Sequence, residues 1–228
     1  MTQEQIRENI ETVRETIARA AERAGRDPKD VTLIAVTKTV SAETAAMAVN
    51  CGVRDVGENR VQEYRDKREN LPPEINVHFI GQLQRNKVKY IVSDVAFIHS
   101  VDRLSLAQEI ERRAGAIDRP VNVLIEVAFD TDEDRGGVMP QDLFPLAMQI
   151  AAMPHLNLCG LMCVAPLGAD REETRACFAA LSDMRKDLVR RGLHLPYLSM
   201  GMSGDYEIAV EEGATFVRVG TSIFGRRM

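Results

Sequence analysis

Lys38 stands near the end of a short run of apolar and β-branched residues, Val31 to Val40, that offers an ammonium few partners. Side chains alternate across a strand, so Lys38 shares a face with Ile34 and Val36 and is expected to point into the protein. Burying an ammonium is costly unless it is paired, neutralised or used covalently. Such a lysine either snorkels from a strand end to water or serves as an amine of lowered pKa that forms a Schiff base with a carbonyl compound. Two stretches near the other end of the chain bear on that choice. Met202-Ser203-Gly204-Asp205 and Gly220-Thr221-Ser222 are turns of small and hydroxyl-bearing residues. Each could be an ordinary helix cap; together they could admit a phosphate to backbone N–H groups. Arg218 lies between them in the apolar run FVRVG. Its guanidinium keeps its charge and needs partners, either a structural carboxylate or a bound anion or ring nitrogen.

These residues are spaced through a chain in which strand and helix patterns alternate. Ile6, Ile10, Val13, Ile17 and Ala21 recur at helical spacing, and Thr2 with Gln5 forms a capping-box signature, so a helix is expected over 2–24. Strand-like runs follow at 31–40, 53–57, 77–81, 95–102, 121–129, 156–164, 196–200 and 214–220. Helical patterns fill the intervals at 41–50, 61–70, 84–93, 104–115, 141–153 and 170–191, with a short helix after Gly204. No composition shift marks a linker. The alternation predicts a single-domain (β/α)8 TIM barrel over 1–228, with 1–24 as an extra helix capping the barrel's N-terminal end. A doubly wound sheet is the alternative, but no GxGxxG follows the first strand. In such a barrel the loops after strands seven and eight often hold phosphate, and both small-residue turns fall there.

A hydrophobic content of 45% with 28% charged residues describes a soluble globular protein, and a net charge of -5 argues against nucleic-acid binding. The polar start and the lack of a long apolar run predict a cytoplasmic protein with no membrane span. Cys51, Cys159, Cys163 and Cys177 lack CxxC spacing and read as small buried hydrophobes. Asp130, Asp132 and Asp134 resemble the start of a calcium loop, but Gly136 comes one position late and Gln141 replaces the needed glutamate. His99, His155 and His194 show no metal-ligand spacing, and Arg85, Lys87 and Lys89 form an ordinary basic helix face.

The stretches LIAVTKTV, GENRVQE, HFIGQLQRNK, SVDR, GLMCVAP and LSMGMSGDYEIAVEEGATFVRVGTSIFGRR resemble the pyridoxal phosphate homeostasis protein family, whose barrel is similar to the N-terminal domain of alanine racemase. The resemblance implies that Lys38 carries pyridoxal 5'-phosphate as a reversible aldimine. It further implies that Ser203, Gly204, Gly220 and Thr221 hold the phosphate, that Arg218 faces the pyridine nitrogen, and that Asn59 and Met200 lie beside the ring, with His78 behind them. The fifth strand departs from the family pattern: Ala128 occupies the position of an asparagine.

An arginine at the ring nitrogen donates a hydrogen bond without yielding a proton, which weakens carbanion stabilisation. By resemblance, alanine racemase takes a second base, a tyrosine, from a further domain and a partner subunit, and this chain ends at Met228 without one. The expectation is a monomeric cofactor-holding protein in intracellular vitamin B6 homeostasis, meeting free amino acids and apoenzymes, without efficient turnover. The alternatives are an amino-acid racemase or decarboxylase using the same lysine, and a barrel enzyme in which Lys38 clamps a phosphorylated metabolite.

Overall fold

The computed structural model describes residues 1–130 and 136–225. Among them, eight parallel strands close into a barrel in chain order: β1 (Thr32–Val36), β2 (Asp55–Glu58), β3 (Asn76–Phe79), β4 (Phe97–Val101), β5 (Val121–Glu126), β6 (Leu156–Met162), β7 (Tyr197–Met202) and β8 (Phe216–Val219). Closure pairs β1 with β8, Ile34 opposite Arg218 and Ala35 opposite Val219. Chain segments separated by most of the sequence therefore end side by side. The expected (β/α)8 architecture is the observed one.

Helices α1 (Gln3–Arg23), α2 (Ala42–Asn50), α3 (Val61–Arg68), α4 (Leu104–Gly115), α5 (Leu143–Ala151), α6 (Arg171–Arg190), α7 (Tyr206–Glu211) and α8 (Thr221–Phe224) surround the barrel. The alternation of each strand divides the core into two shells. Ile34, Leu124, Met162 and Phe216 fill the barrel interior with Phe97 and Tyr197, and Tyr197 stacks on Phe216 at 4.6 Å between centroids. Outward-facing Ala35, Val56, Val77 and Ile98 pack under the helices.

Three elements depart from expectation. The first strand ends at Val36, so Lys38 sits in the turn beyond it. The segment 84–93 is a 3-10 turn over Arg85–Tyr90, because Gln84 supplies no side-chain cap and the β-branched Val88, Ile91 and Val92 are pinned in the core. The third is α1. Its capping box forms as expected, with Gln5 N–H 3.2 Å from Thr2 Oγ1. It does not cap the barrel's N-terminal end, however; it runs along the flank against α2, α7 and α8. The physical reason is the brevity of α8, which leaves barrel surface beside β8 uncovered. Ile6, Ile10, Val13, Ile17, Ala20 and Ala21 cover it. Asn9 donates to the Ile223 carbonyl at 2.9 Å, while Arg26 donates to Val210 and Ala214 at the other end.

Candidate functional site

The turn carrying Lys38 is held from both sides by one helix. Thr37 N–H still bonds across to Gly57 at 3.0 Å, and Val40 N–H then closes on the Thr37 carbonyl at 3.0 Å. Thr39, between them, has φ +60°, a left-handed conformation costly for a β-branched residue. Its N–H donates to Glu63 Oε2 at 2.9 Å. Four residues on, and hence on the same face of α3, Lys67 donates to the Thr37 carbonyl at 2.6 Å and to Glu58 Oε1 at 2.9 Å. Thr37 Oγ1 donates to the same Glu58 oxygen at 2.6 Å. The Glu58 side chain is 0% exposed and that of Lys67 is 9%, so the pair is shielded from water. Nothing in the spacing of the sequence singled out Glu63 or Lys67; a local i, i+4 pair on a short polar helix reads as solvated surface.

A cavity of about 750 Å³ opens at the C-terminal ends of the strands. Val36 lines it at the end of β1 with Lys38 and Thr39 beyond, Asn59 beyond β2 and Ile80 beyond β3. Met202 at the end of β7 and Ser203 and Gly204 beyond it also line the cavity, with Arg218, Gly220 and Thr221 from β8 and its turn. Lys38 is the only lysine among these described residues. The Ser203 hydroxyl accepts the N–H groups of Gly220 at 3.1 Å and Ser222 at 3.3 Å, tying the two turns into one wall. Asn59 Oδ1 is buried with no protein partner. The backbone of Asn59 is fixed by Gly81: a Cβ there would lie 2.2 Å from the Asn59 carbonyl oxygen.

Arg218 is 4% exposed. One terminal nitrogen donates to Ser199 Oγ at 2.6 Å and the other to the Cys163 carbonyl at 2.8 Å. Burial pulls its pKa down, and the nearby Cys163, Glu126 and Asp205 act against that pull. Desolvation in turn pushes Glu126 up to about 7, with Arg218 opposing and Asp102 adding to the rise. The site is a buried cation ringed by reluctant anions.

Of the residues expected at the site, Lys38, Asn59, Ser203, Gly204, Arg218, Gly220 and Thr221 line this cavity. Met200 does not. It is fully buried in the shell under the helices, because β7 alternates and turns Ser199 inward and Met200 outward. Met202 lines the cavity instead. His78 lies deeper, in the barrel interior, bonded to His99 and Asp55. Ala128 N–H pairs with the Val138 carbonyl at 2.9 Å. Of the calcium-like loop, Asp132 and Asp134 lie outside the described residues, as do Arg226 and Arg227 of the terminal motif; the described residues contain no cluster able to hold a metal ion. No described helix is long and apolar enough to cross a membrane. A second cavity, about 790 Å³, opens at the opposite end around Thr32, Tyr197 and Thr215, where Glu211 and Glu212 are paired with Arg175 and Arg23.

The family described as alanine racemase, N-terminal domain, matches residues 3–228. A pyridoxal phosphate homeostasis protein of Aquifex aeolicus is 44% identical over 222 residues, covering 96% of this chain and 97% of that one. The chain belongs to the pyridoxal phosphate homeostasis protein family. PipY of Synechococcus elongatus, solved with pyridoxal phosphate bound, has a TM-score of 0.86 and 37% identity, covering 96% of this chain and 100% of that one. Alanine racemase of Streptomyces coelicolor shares the fold, with a TM-score of 0.72 and 20% identity. The homeostasis-family barrel covers 59% of that longer chain.

Proposed function

We propose that this protein holds pyridoxal 5'-phosphate in the cavity at the C-terminal end of its barrel and acts in vitamin B6 homeostasis, without efficient turnover of amino acids. The observation that carries this is the meeting of Lys38, Arg218 and both small-residue turns around one cavity. Its chemistry suits such a molecule: an amine for the aldehyde, a permanently charged donor for the ring nitrogen, and small residues where a phosphate needs close approach. Asn59 Oδ1 offers an unused acceptor to the remaining polar edge. The bound cofactor supplies an electrophilic aldehyde that a lysine amine takes up reversibly.

The protein's own residues orient and shield. The α3 clamp on Thr37 and Thr39 fixes the backbone on either side of Lys38, and Val36, Ile80 and Val164 line the cavity with apolar surface. Arg218 keeps its proton, so the ring is a weak electron sink. None of the four tyrosines lines the cavity among the described residues: Tyr197 is stacked in the barrel, Tyr64 is buried against Asp94, Tyr90 is on the surface and Tyr206 begins α7. This favours storage over racemisation.

Addition of the cofactor to purified protein, followed by incubation with single L-amino acids, tests both halves. An absorption band near ~420 nm with essentially no chiral inversion is expected. Robust inversion that disappears in Lys38→Ala would overturn the storage role.

A further inference from the structure

A continuous chain of hydrogen bonds crosses the barrel interior from one end to the cavity. Arg218 lies 2.6 Å from Ser199 Oγ, which lies 2.9 Å from His99 Nδ1. His99 Nε2 is 2.9 Å from His78 Nδ1, and His78 Nε2 is 3.0 Å from Asp55 Oδ1. Five strands contribute: β8, β7, β4, β3 and β2. Both imidazoles are buried, and the chain reaches partial exposure only at Asp55, whose side chain is 18% exposed at the start of β2.

With both imidazoles neutral, proton bookkeeping allows one arrangement in which every link is satisfied. An ionised Asp55 only accepts, so His78 donates from Nε2. With that imidazole neutral, its Nδ1 accepts and His99 donates from Nε2. His99 Nδ1 then accepts the Ser199 hydroxyl. Starting from the other end, the Arg218 guanidinium only donates, so Ser199 Oγ accepts from it and passes its own hydrogen to His99. The two directions agree at every link. With both imidazoles neutral, every link in the chain has one donor and one acceptor. Consistently, burial together with His78 and Arg218 holds His99 well below the ordinary imidazole range.

We infer that Asp55, His78, His99 and Ser199 are positioning residues that lock Arg218 in one donor arrangement and extend the influence of the Asp55 carboxylate through the barrel to the ring-nitrogen end of the cavity. The inference deepens the cofactor-holding role and rests on it for the part Arg218 plays toward the ring. The two chain ends have opposite charge, and each link between them is polarised in the same sense. Removing the charge of Asp55 leaves Arg218 a less compensated cation and frees His78 to reverse its tautomer, because an amide can donate as well as accept.

Two measurements test this. Nitrogen-15 NMR of the protein without added cofactor is expected to show both His78 and His99 neutral with hydrogen on Nε2 at neutral pH. A charged ring or an Nδ1–H tautomer at either residue overturns the chain. For cofactor-loaded protein, the pH midpoint of the ~420 nm band is expected to move downward by about half a unit or more in Asp55→Asn, since loss of a negative charge disfavours a cation near the ring. His99→Leu, which interrupts the chain, should shift it in the same direction, and His99→Gln, which keeps one acceptor and one donor, should restore it. An unchanged midpoint in loaded Asp55→Asn and His99→Leu overturns the inference. If the wild-type protein takes up no cofactor, the cavity assignment fails and takes with it the effect on the ring, while the NMR tautomers still decide whether the chain exists.

Discussion

The Lys67 ammonium lies 2.6 Å from the carbonyl oxygen of Thr37, the residue before Lys38. One lysine buried in an ion pair thus sets the backbone that presents another lysine to the cavity. Replacing Lys67 with Met leaves Glu58 buried and unpaired, with its Oε2 already lacking a partner. The expected loss is about 3–5 kcal/mol in denaturant unfolding. The double variant Glu58→Leu/Lys67→Met should recover most of that stability while still taking up cofactor more slowly than wild type. A double variant with wild-type uptake would show that the pair serves stability alone.

Glu63 acts on the other side of the same turn. Glu63→Ala removes the acceptor of the Thr39 N–H, at a cost of about 1 kcal/mol in stability. Because Thr39 then has less to hold it at φ +60°, cofactor affinity should fall by about threefold to tenfold, measured by fluorescence titration. Unchanged affinity would mean that the turn keeps its shape without α3.

Gly81 carries no chemistry and is nonetheless expected to be intolerant. Its Cβ would lie 2.2 Å from the Asn59 carbonyl oxygen, and backbone cannot move aside as a flexible side chain can. Gly81→Ala should destabilise by about 1–3 kcal/mol and weaken cofactor binding more than Asn59→Ala does, since it displaces the β2 end as a whole.

Much of this molecule was legible in the residue order because its signals are local. Alternating strand and helix patterns, the Thr2 and Gln5 box, and the turns at Ser203-Gly204 and Gly220-Thr221 each lie within a few residues. What depended on three dimensions was not legible. Lys67 and Glu63 look like solvated helix charges until α3 packs under the first turn. Met200 is separated from Ser199 by the face of β7 that each takes, Ser199 inward and Met200 under the helices. His99 showed only an absence of metal-ligand spacing in the sequence; it is the centre of a chain drawn from five strands, with no sequence spacing to reveal it. The place of α1 followed from the shortness of α8, which no periodicity in α1 itself encodes.

The buried imidazole gives stability a definite pH dependence. His99 faces His78 from β3, Ser199 from β7 and Arg218 from β8, and its folded pKa lies well below the usual value. Unfolding frees it to bind a proton, so below about pH 6.5 the unfolded state holds more protons than the native state. Its contribution is complete above that pH and falls as the pH drops, with a slope approaching about 1.4 kcal/mol per unit. Urea unfolding from pH 7.5 to 5 should show this slope in wild type and a flatter line in His99→Gln; parallel lines would mean that His99 is already charged in the native state.

The most direct test of the cofactor site is mass spectrometry of peptides from protein loaded with pyridoxal 5'-phosphate and reduced with borohydride. A single phosphopyridoxyl adduct on Lys38, absent from Lys38→Ala, is the predicted result. An adduct spread over surface lysines, or one that persists undiminished in Lys38→Ala, would contradict it.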